Sequence, residues 1–298
     1  MLSPAKLNLF LAITNRRPDG FHDLVSLAAP LEWGDDLTAE PSGSGQAELV
    51  CSDPAVPTGQ ENLVIKAAAA FAAASGQPAA LRFHLTKRIP MGAGLGGGSS
   101  NAAAALLLLN RAAARPLPAA ELVALAGQLG SDCPLFLGGG PVVMRGRGER
   151  LSALEAGARR RIAGRSVLVF KPGFAISTPW AYGQLAAAAP GSYLPPAEAE
   201  RRLGAWLADE SAPLESLLLN NMESPAFAKF PALPALAERI WQRHGLTVRM
   251  SGSGSACFAI LPPGMGDIPD AVAATVRECW GASALCVVTN LASGQIPV

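Results

Sequence analysis

Residues 90–103 read Pro-Met-Gly-Ala-Gly-Leu-Gly-Gly-Gly-Ser-Ser-Asn-Ala-Ala, with glycine at positions 92, 94, 96, 97 and 98. Five glycines in seven positions let a backbone take positive φ and press its N–H groups against a ligand. Ser99, Ser100 or Asn101 can cap the Ala/Leu-rich helix that follows. The open N–H groups and positive dipole end of such a helix form an anion site, and a polyphosphate fits that chemistry. Three glycine patterns compete for it. Gly92, Gly94 and Gly97 match the dinucleotide fingerprint, but Pro90 interrupts the approach from the strand and no acid stands about 20 residues on. The P-loop pattern needs Gly-Lys-Ser/Thr, and here Gly97 precedes Gly98-Ser99. The protein-kinase set lacks its His-Arg-Asp and Asp-Phe-Gly partners. A flexible linker would not sit between an apolar strand and a strong helix.

Two charged residues stand out beside this loop. Lys6 is one of five lysines, against nineteen arginines, and opens an apolar strand with Asn8 on the same face. Asp132 lies in Gly130-Ser131-Asp132-Cys133-Pro134, after a helix. A carboxylate can accept a proton and an ammonium can hold developing negative charge. Taken alone, Lys6 reads equally well as a strand-edge surface residue and Asp132 as a turn former or cap. Ser251-Gly-Ser-Gly-Ser255 reads alone as an ordinary turn between strands.

The elements that must position these residues follow from patterning. Strands are expected over residues 7–13, 24–31, 36–40 and 80–87, with turns at 16–20 and a hairpin loop at 41–45. Helices are expected over 62–74, 99–114 and 118–129. Gly138-Gly-Gly-Pro141 breaks the chain before a hairpin. The second half alternates: a strand at 166–170, helices, strands at 246–250 and 256–261, a helix near 267–280 and a last strand at 284–290. That order suits a mixed α/β or an α+β layer. Arg159-Arg-Arg161 reads as a solvated surface turn, with a domain boundary near residues 155–165.

The 298 residues are 50 % hydrophobic and 16 % charged, enough for a substantial core in one large or two ordinary domains. A net charge of +1 gives no reason to expect nucleic acid or an anionic membrane as partner. The five cysteines lack any Cys-x-x-Cys, so a disulfide framework or structural zinc site is not expected, and a cytoplasmic location is. No signal peptide or clean span of about 20 apolar residues is read.

Four segments, in order and spacing, carry a resemblance that covers almost the whole chain. They are residues 4–11 with 17–22, the loop 90–103, residues 129–136 and residues 250–255. Together they resemble the GHMP kinase superfamily, in the branch that phosphorylates a cytidine diphosphate-linked methylerythritol with ATP and Mg²⁺. The resemblance implies a two-domain α+β fold: a ribosomal protein S5 domain 2-like N-terminal domain at residues 1–158 and a ferredoxin-like C-terminal domain at 159–298. The active site would lie in the cleft between them, with the ATP loop and the catalytic pair in the first domain.

It also implies roles. Asp132 is the base, with Lys6 beside it. ATP would be held by Asn62, Lys87, Pro90, Met91, Gly92, Ala93, Gly94, Leu95, Gly96, Gly97, Gly98, Ser99 and Ser100, with Asn62 and Lys87 at the adenosine portion. On residues alone those two are a helix cap and a strand-end charge. Ser100 is the one candidate for contact with Mg²⁺; no metal ligand is otherwise identified. The acceptor substrate would meet Asn8, Phe21, His22, Thr178, Tyr182, Gly252 and Ser253, the base lying between Phe21 and Tyr182 with His22 at its edge. Phe21 stands where the family commonly has Tyr, and Ser177 replaces the first proline of a Pro-Thr-Pro run, which bears on the local loop shape. The rivals are a related kinase acting on homoserine or a mevalonate derivative, and a non-catalytic nucleotide-binding relative. The oligomeric state is left open.

Overall fold

The computed structural model describes residues 1–264 and 266–294. In chain order its strands are β1 (Leu2–Arg16), β2 (His22–Pro41), β3 (Glu48–Cys51), β4 (Leu81–Thr86), β5 (Val142–Gly146), β6 (Arg150–Ala153), β7 (Ser166–Lys171), β8 (Leu219–Asn220), β9 (Val248–Met250), β10 (Cys257–Ile260) and β11 (Leu285–Asn290). Its helices are α1 (Leu63–Ser75), α2 (Gly97–Ala112), α3 (Ala119–Leu129), α4 (Leu135–Gly138), α5 (Ala156–Ile162), α6 (Thr178–Ala187), α7 (Pro196–Ala208), α8 (Glu223–Lys229), α9 (Ala232–His244) and α10 (Ile268–Trp280).

Seven strands form the first sheet, in the order β3-β4-β2-β1-β8, with β5 paired to β2 and β6 to β5. Four form an antiparallel second sheet, β11-β7-β10-β9, against which α9 and α10 pack. The architecture is α+β, the one of the two layer types left open by patterning that the resemblance implies. The chain passes from the first sheet to the second between residues 153 and 166; β8 then pairs in parallel with β1, and after β11 Leu291 bridges to Leu31 of β2. Each of the two hydrophobic cores draws residues from both halves. One joins Phe71, Phe83 and Phe136 to Phe170 and Met250; the other joins Leu7 and Leu27 to Trp206 and Phe258. Burial of these large side chains, at roughly 1.5–3 kcal/mol each, fixes the sheets against one another and so fixes the cleft between them.

β1 is the seam. Nearly every residue from Ser3 to Thr14 is buried, which accounts for a strand longer than the expected 7–13. Its pairing with β2 slips between Pro4 and Lys6 and again between Asn8 and Phe10. Such bulges re-aim side chains, and these two bracket Lys6 and Asn8.

Four expectations are corrected. The strands at 24–31 and 36–40 are one strand, β2; Gly34 lies within it because a Cβ there would sit 2.1 Å from Ser3 O. Glycine in a strand marks such close approach and imitates a break. Residues 41–45 do not form a hairpin loop, since β3 runs parallel to β4 rather than back against β2. The third correction concerns α2. It begins at Gly97, capped by Gly96 with no side-chain bond, so Ser99, Ser100 and Asn101 lie inside the helix rather than at its cap. Finally, the arginine run is helical. Arg161 stacks its guanidinium 3.7 Å over Trp206 and donates to Trp206 O, Asp209 O and Ala212 O instead of facing solvent.

Candidate active site

Where the two sheets meet, a cavity of about 1160 Å³ is lined by residues from β1, the 90–99 loop, the Asp132 turn, α6 and the 252–253 turn. Its charged lining consists of Lys6, Arg16, Lys87, Arg147 and a single carboxylate, Asp132. That excess of cations suits an anionic ligand.

Lys6 is 4 % exposed and donates to Asn8 Oδ1. Asn8 is held in that orientation because its Nδ2 donates to Ser26 Oγ at 2.9 Å, and Ser26 donates to Phe10 O at 2.7 Å. Asp132 Oδ2 stands 3.8 Å from Lys6 Nζ, an ion pair with room for a third group. Burial pushes the Lys6 ammonium below its ordinary range, and Asp132 only partly restores it. The turn that carries Asp132 follows α3 and leads into α4, whose residues Leu135, Phe136 and Leu137 are buried anchors.

The glycine loop crosses above this pair. Gly92, Gly94 and Gly96 take φ of +62°, +75° and +75°. A Cβ on Gly94 would lie 2.1 Å from Ser251 O, and one on Gly96 would lie 2.9 Å from Phe136 Cζ and 3.1 Å from Lys6 Cγ. The loop therefore touches both Lys6 and the 251–255 turn through its glycines. Gly97 and Gly98 do not need positive φ; they are the first residues of α2. The first α-helical bond runs from Ser100 N to Gly96 O at 2.9 Å, which leaves the N–H groups of Gly97, Gly98 and Ser99 open at the cavity wall.

Three of the expected nucleotide contacts are engaged within the protein. Ser100 is buried and off the cavity lining, its hydroxyl accepting from Ser3 Oγ at 2.8 Å, so Ser99 rather than Ser100 presents a hydroxyl to the cleft. Lys87 lines the cavity, yet its Nζ is paired with the fully buried Asp35. Asp35 also accepts from Arg88 N, Ile89 N and Asn101 Nδ2 at 2.7, 2.8 and 2.9 Å, pinning the approach to the loop. Asn62 caps α1 by accepting from Val64 N at 2.9 Å and donates to Pro57 O at 2.6 Å, beside the apolar wall of Val56, Pro57 and Leu63.

At the other end stands an aromatic group. Tyr182, half-buried on α6, lies 4.8 Å from His22 between ring centroids. Phe21 is 50 % exposed, with Arg147 stacked 4.5 Å over its ring. His22 Nε2 shares a 3.2 Å hydrogen bond with Tyr193 Oη. Burial, and then Arg16, push the His22 imidazolium to lower pH; burial and then Asp132 push the Tyr182 phenol up. Ser177 caps α6 by accepting from Trp180 N at 3.4 Å, so the loss of proline there is absorbed by an N-cap. Thr178 Oγ1 shares a 2.8 Å bond with Ser253 Oγ, joining α6 to the turn. Sequence reasoning missed Arg147 and Arg16, which line the cleft, and Tyr193, which bonds His22: Arg147 and Tyr193 lie outside the recognised segments, and Arg16 stands one residue before the 17–22 segment.

Among the described residues no three His, Cys, Asp or Glu side chains gather to hold a metal. Asp132 and the hydroxyls of Ser99 and Ser131 are oxygen donors on the same lining. That set fits Mg²⁺, which keeps several waters and binds through one or two carboxylates and substrate phosphates.

A glycine-cradled anion site, an adjacent lysine–carboxylate pair and a two-sheet α+β frame define a class of small-molecule kinases. The GHMP kinases N terminal domain matches residues 62–140 and the GHMP kinases C terminal domain matches residues 201–282. A 4-diphosphocytidyl-2-C-methyl-D-erythritol kinase of Thermus thermophilus is 40 % identical over 94 % of this chain and 93 % of its own length. One from Protochlamydia amoebophila is 37 % identical over 90 % of this chain and 85 % of its own. A crystal structure of a 4-(cytidine 5′-diphospho)-2C-methyl-D-erythritol kinase superposes with a TM-score of 0.75 at 38 % identity, covering 97 % of this chain and 98 % of that one. The chain belongs to the 4-diphosphocytidyl-2-C-methyl-D-erythritol kinase family. A homoserine kinase from Cytophaga hutchinsonii, with TM-score 0.69 at 17 % identity over 98 % of this chain and 97 % of its own, shares the fold.

Proposed function

We propose that this chain transfers the γ-phosphoryl group of ATP to the tertiary 2-hydroxyl of 4-diphosphocytidyl-2-C-methyl-D-erythritol, a step of the non-mevalonate isoprenoid route. The observation that carries the reading is one cavity with three chemistries in sequence: open helix N–H groups, the Lys6–Asp132 pair and an aromatic end.

ATP phosphates rest on the N–H groups of Gly97, Gly98 and Ser99, and adenosine lies toward Asn62, Lys87 and the Val56–Pro57–Leu63 wall. The substrate hydroxyl sits between Asp132 and Lys6. As its oxygen attacks the γ-phosphorus, the bond to the β-phosphate oxygen breaks and ADP leaves, while Asp132 takes the hydroxyl proton. Lys6 holds charge on the attacking oxygen and the transferring group. Asn8 fixes the lysine; Gly252 and Ser253 face the same point. Asp132 and Ser99 would hold Mg²⁺, which supplies charge neutralisation on the phosphates when bound. The cytosine ring stacks at Phe21 and Tyr182 with His22 at its edge, and Arg147 and Arg16 balance the diphosphate. The division of labour follows the boundary at 158/159, with the ATP loop and the catalytic pair before it and Thr178, Tyr182, Gly252 and Ser253 after it.

A coupled ADP-release assay tests this directly. Turnover is expected with the cytidylyl substrate and not with homoserine or mevalonate derivatives. Turnover on either of those alone, or none on any of the three, would refute the assignment.

A further inference from the structure

Asn220 is not among the residues that line the cleft, yet it governs what the cleft presents. It lies in β8 and is 5 % exposed. Its Nδ2 donates to Met250 O at 2.7 Å and to Gly252 O at 2.8 Å, and its Oδ1 accepts from Met222 N at 2.9 Å. Two carbonyls at one end and an N–H at the other leave a single orientation for the amide. In a trans peptide the carbonyl and the following N–H point in opposite directions. Because Gly252 O is held beneath the turn, the N–H of Ser253 is turned the other way, into the cavity that both residues line. Ser251 O, taken by Gly254 N at 3.0 Å, turns the N–H of Gly252 away from itself by the same rule. Among the described residues neither N–H has a protein acceptor. A Cβ on Gly252 would lie 3.3 Å from Lys6 Nζ and 3.5 Å from Asn8 Oδ1, so this peptide stands directly beside the catalytic lysine.

We propose that Asn220 is a positioning residue for phosphoryl transfer: it holds the Gly252–Ser253 peptide so that its N–H donates to charge developing next to Lys6. This rests on the kinase reading above. The neighbouring residues complete a fastener between the two sheets. Asn221 bonds both Ile13 N and Ile13 O, at 2.8 and 2.9 Å, in the strand that carries Lys6. Glu223 Oε1 accepts from Met250 N at 2.8 Å, at the entrance to the turn. Gly252 has φ of +57° and no side chain to restrain it, so the peptide keeps its direction only while something holds its carbonyl.

Asn220→Asp is the informative substitution. It keeps the shape and the bond to Met222 N, but turns a carboxylate oxygen toward two carbonyl oxygens. With the cytidylyl substrate, kcat should fall by about 10²-fold or more, the size of losing one oxyanion-site donor. KM for either substrate should move less than about threefold, as for an interaction made in the transition state. In ¹⁵N-labelled protein without substrate, the Gly252 and Ser253 amide resonances should shift. Asn221→Ala cuts bonds from the same segment to Ile13 and Ser192 without touching the turn. It should lower the melting temperature while kcat stays within about threefold of wild type. Should Asn220→Asp fail to fold, Asn220→Ala carries the same expectations. Unmoved amide resonances in a folded variant overturn the proposal, and so does a kcat within about threefold of an active wild type. A wild type inactive on the cytidylyl substrate removes the substrate assignment, and the resonances still decide whether Asn220 holds the peptide.

Discussion

Lys6→Met should cut turnover sharply while leaving the fold as stable as before, or slightly more so. Methionine keeps the aliphatic stem in its groove and removes only the ammonium. At 3.8 Å, attraction to Asp132 amounts to roughly 4 kcal/mol at an effective dielectric of 20 and about 1 kcal/mol in water. The Asp132 side chain is 36 % exposed, so screening draws the value toward the lower figure. Burying one ion costs several kcal/mol even after relaxation. The lowered Lys6 pKa carries the same sign: burial outweighs the carboxylate. Asn8 Oδ1 loses a donor in the variant, but it lies on the cleft wall, where water replaces it. The ligand-free melting temperature should therefore stay the same or rise by a few degrees, at about 2–4 °C per kcal/mol for a chain of this size. Turnover should drop by about 10²–10³-fold with the loss of a charge-stabilising donor. A pH series sharpens the test. Below its folded pKa Lys6 is charged in both states and its penalty is complete. Between that value and the ordinary 10.5 the unfolded chain binds more protons, so this contribution to stability rises with pH. The variant's advantage should shrink as pH is raised through that window. Calorimetric melting of both proteins, with initial rates on the same samples, measures everything required. A variant melting about 5 °C or more below wild type would refute the reasoning, because the buried ammonium would then be a net stabiliser.

Asp132→Asn should cost about 10²–10⁴ in kcat, the range for a positioned base, with calorimetric ATP affinity nearly unchanged. Near-normal turnover would remove it from the mechanism. Gly94→Ala should weaken ATP far more than the cytidylyl substrate, since its Cβ would lie 2.1 Å from Ser251 O at a φ of +75°. Equal weakening of both ligands in titration calorimetry would argue that the loop does not cradle ATP. Tyr182→Ala should raise KM for the cytidylyl substrate by about tenfold, from loss of roughly 0.5–1.5 kcal/mol of stacking beyond area burial. Cytidine and uridine forms should weaken together, because a flat stack tolerates either base; an unchanged KM would put the nucleobase elsewhere.

Much of the fold was legible because local signals agree with it. Asn62 caps α1 where its side chain and the Ala-rich run predict, and Gly76 closes the helix in the left-handed region. What failed to read locally was decided by tertiary contact. Gly34 looks like a break until Ser3 O is seen against it, and Arg161 looks solvent-facing until Trp206 is placed beneath it. The start of α2 misled for a related reason. Ser100 and Asn101 carry strong capping propensity, yet their partners are Ser3 and Asp35, remote in sequence. Lys87 and Ser100 were legible as polar residues near a nucleotide loop, but not as members of a buried network that holds the loop from behind.

The same network accounts for how so glycine-rich a loop can serve as a rigid cradle. Five glycines give the 92–98 segment great freedom in the unfolded chain, a cost of order 1–2 kcal/mol per residue to remove. The loop is held from three sides. Asp35 fixes Arg88 and Ile89 before it. Lys6 N donates to Leu95 O at 2.9 Å in its middle, and Ala256 N donates to Ala93 O at 3.0 Å from the second sheet. Gly94 and Gly96 are then required for approach rather than for flexibility: each lets the loop close on a partner where a Cβ would collide. Through those two contacts the glycine loop, Lys6 and the 251–255 turn share one set of positions. A ligand entering the cleft therefore meets donors already aimed, which is the condition for electrostatic stabilisation without reorganisation during the reaction.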